Sequence, residues 1–179
     1  MIFFDITSEY ARWLAAYANG RMIVDIGCGE GALIRALRKV GYTRVIGFEL
    51  NFDPLDRRNK DLSNCVMPTD ALTSSLLRGR DAAKNPMLCV LARPCHGGWP
   101  RMVANLVTPH SELLYISMRR NIAQDWGRSG YKLNHLHAPI GQEEEFTYSV
   151  KRGDKKVDPV LEGEDAAELA LREELNLWG

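Results

Sequence analysis

Val24-Asp25-Ile26-Gly27-Cys28-Gly29-Glu30-Gly31 is the stretch that decides the fold. The apolar run Met22 to Ile26 leads into it and the helix-like run Ala32 to Lys39 follows, so it reads as a strand, a tight glycine turn and a helix start. Three alternating glycines let the backbone enter positive φ and remove the Cβ atoms that would hold a ligand off the main chain. A flat ligand can therefore lie directly on this turn, with Asp25 and Glu30 beside it.

Glycine spacing alone does not select the ligand, because Gly27, Gly29 and Ala32 also satisfy the dinucleotide fingerprint G-x-G-x-x-G/A after a strand. Charge discriminates better. A dinucleotide places its pyrophosphate at the helix N-terminus, where amides and the helix dipole favour an anion and a neighbouring carboxylate opposes it. S-adenosyl-L-methionine instead carries a sulfonium and an ammonium, and Asp25 with Glu30 suits that cation. Here the chain resembles the class I S-adenosylmethionine-dependent methyltransferases, whose first motif is an acidic residue followed by x-G-x-G-x-G, as in Asp25 to Gly31. The resemblance implies that Asp25, Gly27, Cys28, Gly29 and Gly31 cradle the methionine and ribose portions of that cofactor.

Two further landmarks follow from the resemblance, which spans roughly Ser8 to Lys151 and is strongest from Met22 to Glu49. Arg44 to Phe48 reads as a second strand ending at Glu49, where the family's acidic residue accepts hydrogen bonds from both ribose hydroxyls. Asn64 to Met67 reads as a short third strand leading to Asp70 and Ala71, where the family places an acid that accepts from the adenine amino group and a backbone amide that donates to the ring. The structural alternatives are a solvated strand-end acid at Glu49 and, at Asp70, an N-cap for a helix over Ala71 to Leu77.

The rest of the chain continues the alternation. Thr7 or Ser8 can cap a first helix over Glu9 to Tyr17, with Tyr10, Trp13, Leu14 and Tyr17 on one face. Met87 to Ala92 is a continuous apolar run suited to a central parallel strand, Gly98 to Leu106 reads as a helix with Pro100 in its first turn, and Leu113 to Met118 reads as a fifth strand. Lys132 to His137 follows, and Phe146 to Val150 alternates as an edge strand does. The expected fold is α/β: a single doubly wound, Rossmann-like, mostly parallel sheet of about seven strands with an antiparallel edge strand and helices on both faces.

A chain of 179 residues with 45% hydrophobic content suits one domain with a sizeable core, expected over residues 1–157. Basic and acidic residues number 23 each, so the chain as a whole presents no net field to nucleic acid or an anionic membrane. The balance is uneven. From Asp158 onward there are 7 acids and 1 base, which leaves a basic body and an acidic C-terminal segment, 158–179. In that segment Ala167, Leu171, Leu175 and Trp178 share a face of an expected helix over Asp165 to Leu177, an amphipathic surface that can meet the body or a partner through 165–178; a disordered acidic tail is the alternative. Arg57, Arg58 and Lys60, Arg119 and Arg120, or Lys151 and Arg152 can meet a phosphate-bearing substrate, or serve as solvated surface. Cys28, Cys65, Cys89 and Cys95 show no C-x-x-C pairing, no segment approaches membrane-spanning length and the apolar N-terminus is too short for a signal peptide, so reduced thiols and a cytoplasmic location are expected, without a membrane partner.

Reacting groups in open α/β sheets gather beyond the carboxyl ends of the strands. The fourth strand ends at Ala92-Arg93-Pro94-Cys95-His96-Gly97-Gly98-Trp99, which lacks the Asn/Asp-Pro-Pro-aromatic motif of methyltransferases acting on base amino groups. Pro94-Cys95 is similar to the pair in cytosine-C5 methyltransferases, whose thiolate adds to C6 of the pyrimidine, but their recognition domain and other motifs are missing. Cys95 is thus either a nucleophile or a small residue lining the pocket, and His96 either a general base or a structural histidine. Cys95, His96, His110, His135 and His137 are metal-ligand types without paired spacing, and no metal site is expected. The expected function is methyl transfer from S-adenosyl-L-methionine to an unidentified small-molecule, protein or nucleic-acid acceptor. The alternatives are a non-catalytic S-adenosylmethionine-binding or regulatory protein with the same fold and an NAD(P)-dependent oxidoreductase, for which no convincing Y-x-x-x-K pair is present.

Overall fold

The first helix has a side-chain stop at its start and a left-handed residue at its end. In this computed structural model, which describes residues 6–77, 84–92, 99–117, 126, 130–139 and 146–153, the Thr7 hydroxyl accepts from Tyr10 N at 3.1 Å and starts α1 (Ser8–Ala18). Asn19 ends it at φ 49°, its N–H donating to Ala16 O. The chain then enters β1 (Ile23–Ile26), the glycine turn and α2 (Ala32–Lys39), whose last turn carries Arg38 and Lys39 where the helix dipole favours cations.

β2 (Val45–Phe48), β3 (Val66–Met67), β4 (Leu88–Ala92), α3 (Trp99–Val107), β5 (Glu112–Ser117), β6 (Tyr131–Leu136) and β7 (Phe146–Arg152) complete the described helices and strands. Seven strands form one sheet in the order β3-β2-β1-β4-β5-β7-β6. The first five are parallel, and β7 runs antiparallel to both β5 and β6. Side chains alternate across the sheet. Ile23, Leu88 and Val90 join Tyr10 and Leu14 of α1 and Leu37 of α2 in one core, while Val24, Ile26, Cys89 and Leu91 join Val103 and Val107 of α3 in the other. Strand order reverses between β1 and β4, so a crevice opens at their carboxyl ends.

Three expectations are corrected. Phe146 to Val150 is not the sheet edge: Thr147 to Val150 are buried, because Ser149 satisfies its hydroxyl on Glu112 (3.1 Å) and β6 covers the strand's far side. The edge is β6, where Lys132, Asn134 and His135 are exposed, side chains of the kind that keep an open edge from pairing with other chains. Residues 71–77 do not form one helix but two 3-10 turns, Ala71–Thr73 and Ser75–Leu77. Short polar side chains compete there for the backbone: Asp70 Oδ1 takes Leu72 N at 2.9 Å, Thr73 Oγ1 donates to Asp70 O at 2.8 Å, and Ser74 Oγ takes Leu76 N at 3.2 Å. The third strand is also shorter than expected, only Val66–Met67. Cys95, His96, Arg119, Arg120 and the C-terminal segment 158–179 lie outside the described residues.

Candidate cofactor site at the carboxyl ends of β1 to β3

Beyond Ile26 the chain is folded back by Phe48, whose carbonyl accepts from both Gly27 N (2.8 Å) and Cys28 N (3.0 Å). Gly27, Gly29 and Gly31 hold φ +70°, +53° and +74°, a region that disfavours any residue with a Cβ. Their surroundings differ. A Cβ on Gly31 would lie 2.3 Å from Cδ1 of buried Leu62, and one on Gly27 would touch Cη2 of Trp99 at 3.6 Å. One on Gly29 would meet nothing within 4 Å among the described residues. Gly31 is therefore a packing glycine, Gly27 lies beneath an indole, and the space above Gly29 is open.

Two carboxylates flank that space. Glu49 Oε2 accepts from Gly29 N at 3.0 Å and its Oε1 from Asn51 N at 3.2 Å, so the end of β2 clamps the middle of the turn. Asp25 sits between Gly47 and Val90 in the sheet, only 4% exposed, and no donor among the described residues bonds its carboxylate. Burial, and then the charge of Glu49, push its pKa up to about 7. Neighbouring groups register the same field: burial and then the charges of Asp25 and Glu49 raise the Cys28 thiol, and burial together with Asp25 raises the Tyr10 phenol under α1. Cys28 thus stands as a neutral thiol packed against Gly47, where a Cβ would lie 2.6 Å from its Sγ.

The cation closest in sequence is already neutralised. Arg35, one turn into α2, donates to Asp61 through Nε (2.8 Å) and Nη2 (3.1 Å) and also binds the Glu30 carbonyl. The Glu30 side chain itself is exposed on the turn. At the end of β3, Asp70 is half-buried with Oδ1 engaged by Leu72 N, while Ala71 is buried beside it. Asp25, Gly27 to Gly31, Glu49, Asp70 and Ala71 thus gather at the carboxyl ends of three adjacent strands. An anionic turn with bare backbone in its centre favours a ligand carrying positive charge.

Trp99 went unassigned in the sequence. Its available signal was an aromatic residue directly before Pro100, in the first turn of a helix past the end of a central strand. Among the described histidines, His110 lies before β5 at the amino end of the sheet, whereas the rings of His135 and His137 are 5.1 Å apart at the carboxyl end of β6.

No protein-family model matches the chain, and no curated protein matches it by sequence. Solved structures do match its fold. The crystal structure of the 23S rRNA methyltransferase ErmE superposes with TM-score 0.52 at 19% identity, covering 97% of this chain and 78% of that one. Burkholderia thailandensis 1,6-didemethyltoxoflavin-N1-methyltransferase, solved with 1,6-didemethyltoxoflavin and S-adenosylhomocysteine, gives TM-score 0.53 at 12% identity over 82% of this chain and 80% of that one. The B. subtilis tRNA methyltransferase TrmK gives 0.52 at 16% over 83% and 68%. With its 3-2-1-4-5-7-6 sheet, its glycine turn at the reversal of strand order and these neighbours, the chain has the fold of the class I S-adenosylmethionine-dependent methyltransferases.

Proposed function

We propose that the chain binds S-adenosyl-L-methionine on the Gly27 to Gly31 turn and transfers its methyl group to an acceptor. The observation that carries this is the pair of carboxylates: Glu49 bonded to Gly29 N and Asp25 buried behind the same turn. A pyrophosphate over Gly29 would meet both, whereas a sulfonium and an ammonium would be stabilised by them. The residues fit the cofactor, since the space above Gly29 is open and each Glu49 oxygen keeps a lone pair beyond its one backbone bond.

When bound, S-adenosylmethionine supplies a methyl group activated by its sulfonium. In the proposal Glu49 accepts from the ribose hydroxyls, Asp25 balances the cofactor's positive charge, Gly27, Cys28, Gly29 and Gly31 shape the bed, and Asp70 with the Ala71 amide faces the adenine. Trp99 over Gly27 forms a wall on the β4 side, from which an acceptor would approach. Cys95 and His96 remain proposals for groups lining the acceptor or taking its proton. In-line placement of the acceptor is the main demand on the protein, with a base where the acceptor carries a proton.

The neighbours' named substrates run from ribosomal and transfer RNA to a small heterocycle, so the acceptor is to be found by experiment. Incubation with methyl-tritiated S-adenosylmethionine and separate pools of small metabolites, proteins and RNA should label one pool. Cofactor binding without label in any pool would identify a non-catalytic binding or regulatory protein instead. A cytoplasmic location is part of the proposal, supported by Cys28, Cys65 and Cys89 as free thiols; among the described residues no helix is long and apolar enough to cross a membrane. So is a partner contact through 165–178, supported by the apolar face of Ala167, Leu171, Leu175 and Trp178 in the sequence.

A further inference from the structure

A cavity of about 440 Å³ lies at the amino ends of β1 and β4, opposite the glycine turn. Met22 and Met87, each one residue ahead of its strand, line it with apolar surface, and the left-handed Asn19-Gly20 turn after α1 forms one side. Arg21, Arg44, Lys84 and Asn85 supply the other polar groups, and among the described residues no acidic one lines the space.

The cations differ in what they already hold. Arg21 is committed: Nη1 bonds Glu112 Oε2 at 2.7 Å, Nε bonds Ala18 O at 2.9 Å and Nη2 bonds Tyr17 O at 3.1 Å. Arg44 and Lys84 are exposed, and among the described residues neither has an ion-pair or hydrogen-bond partner for its charged head. Two cations without an ion-pair partner among the described residues, and two amide side chains, around a thioether-lined floor match an anion joined to an apolar or flat group. The volume falls within the roughly 300–1,000 Å³ usual for small-molecule sites. A guanidinium fork beside a compact ammonium suits phosphate oxygens, one by paired donors and the other as a point charge.

We propose that this cavity binds a phosphate-bearing ligand, with Arg44 and Lys84 on the phosphate, Asn19 and Asn85 on its neighbouring polar atoms, and Met22 with Met87 under its apolar part. The phosphate can belong to a small metabolite or to a nucleic-acid strand. β1 is four residues long, about 10–13 Å at the usual rise per residue, so this site and the glycine turn can be filled at the same time. The proposal does not depend on methyl transfer.

The test uses the full chain with 13C-labelled methionine methyls, titrated without cofactor against inorganic phosphate, a nucleoside monophosphate and a ten-nucleotide single-stranded RNA. Met22 and Met87 report the cavity, and Met67 serves as a remote control. At least one probe should shift Met22 and Met87 saturably at millimolar concentration or below, and the double substitution Arg44→Ala, Lys84→Ala should weaken that binding at least tenfold. Saturation by monophosphate at concentrations no higher than the RNA requires assigns a small ligand. Saturation by RNA alone, falling steeply with added salt, assigns a strand. The proposal is overturned if no probe saturates the two methyls, or if the shifts persist in the double variant. Circular dichroism verifies that variant's fold, and Arg44→Gln, Lys84→Gln replaces it if the alanine pair is unfolded.

Discussion

Glu49 and Gly29, 20 positions apart in sequence, meet through a 3.0 Å hydrogen bond that ties the end of β2 to the centre of the glycine turn. One carboxylate thus fixes the turn and lines the open space above it. Glu49→Ala should weaken S-adenosylmethionine binding by about 1.5–3 kcal/mol, roughly ten- to 150-fold, on the scale of hydrogen bonds to charged groups. Glu49→Gln should recover part of the loss, because its amide oxygen can still accept from Gly29 N. Calorimetric affinities of the three proteins are the check, and an unchanged affinity in the alanine variant would remove Glu49 from the site.

Gly29 and Gly31 should separate binding from stability. Gly31→Ala drives a methyl into Leu62 at 2.3 Å and strains φ +74°, so it should cost about 2–4 kcal/mol of folding stability by urea denaturation. Gly29→Ala meets open space and should cost only about 1–2 kcal/mol from its φ of +53° while abolishing cofactor binding. Equal stability losses with equal residual binding would contradict the different roles assigned to the two glycines.

Asp25 should make stability fall as pH rises. Its pKa is raised from 3.8 to about 7 by burial and by Glu49, so between those values the folded state holds a proton that the unfolded chain has released. Folding is then progressively penalised from pH 4 to 7, by on the order of 4 kcal/mol in all, and the penalty persists above that window. Asp25→Asn should flatten this slope and stabilise the free protein at pH 8 while weakening its hold on a cationic cofactor. Urea midpoints at pH 5, 6, 7 and 8 test the sign, and a parent slope no steeper than the variant's would refute it.

Glu112 should act in the opposite direction. Burial would raise its pKa, but hydrogen bonds from Tyr17 (2.5 Å), Arg21 (2.7 Å) and Ser149 (3.1 Å) hold it below the usual range. Its contribution is present above the unfolded pKa and lost as pH falls through the folded one. The carboxylate joins the end of α1 to the start of β5 and to β7, and it is only partly exposed. Glu112→Ala should therefore cost about 1–3 kcal/mol and leave the Arg21 guanidinium without its carboxylate. Thermal denaturation measures this, and a loss within about 0.5 kcal/mol, the scatter of ordinary surface substitutions, would mean that solvent replaces the network.

β1, the turn, α2 and β2 were legible in the sequence because each carries its own local signal: a buried apolar run, glycines required by positive φ, and a helical apolar face. Glu49 could be placed because it directly follows the apolar run of β2. What was not legible depends on partners distant in the chain or on competition within a few residues. Thr147 and Ser149 alternate with larger side chains as on a solvent-facing edge, yet Ser149 spends its hydroxyl on Glu112, and the strand is covered on both sides. Ala71 to Leu77 carries helix-forming residues, but Asp70, Thr73 and Ser74 bond the nearby backbone and divide the segment into two short turns. The contact of Trp99 with Gly27 joins residues 72 positions apart, and no local pattern encodes it.

The account rests on a negatively charged turn that takes a positively charged methyl donor. Isothermal titration of the full chain at pH 7.5 with S-adenosylmethionine and, separately, with NAD tests this most directly. Saturable heat with S-adenosylmethionine, lost in Gly29→Ala and weakened in Glu49→Ala, and none with NAD, is the expected result. Saturable binding of NAD alone, unaffected by either substitution, would contradict it.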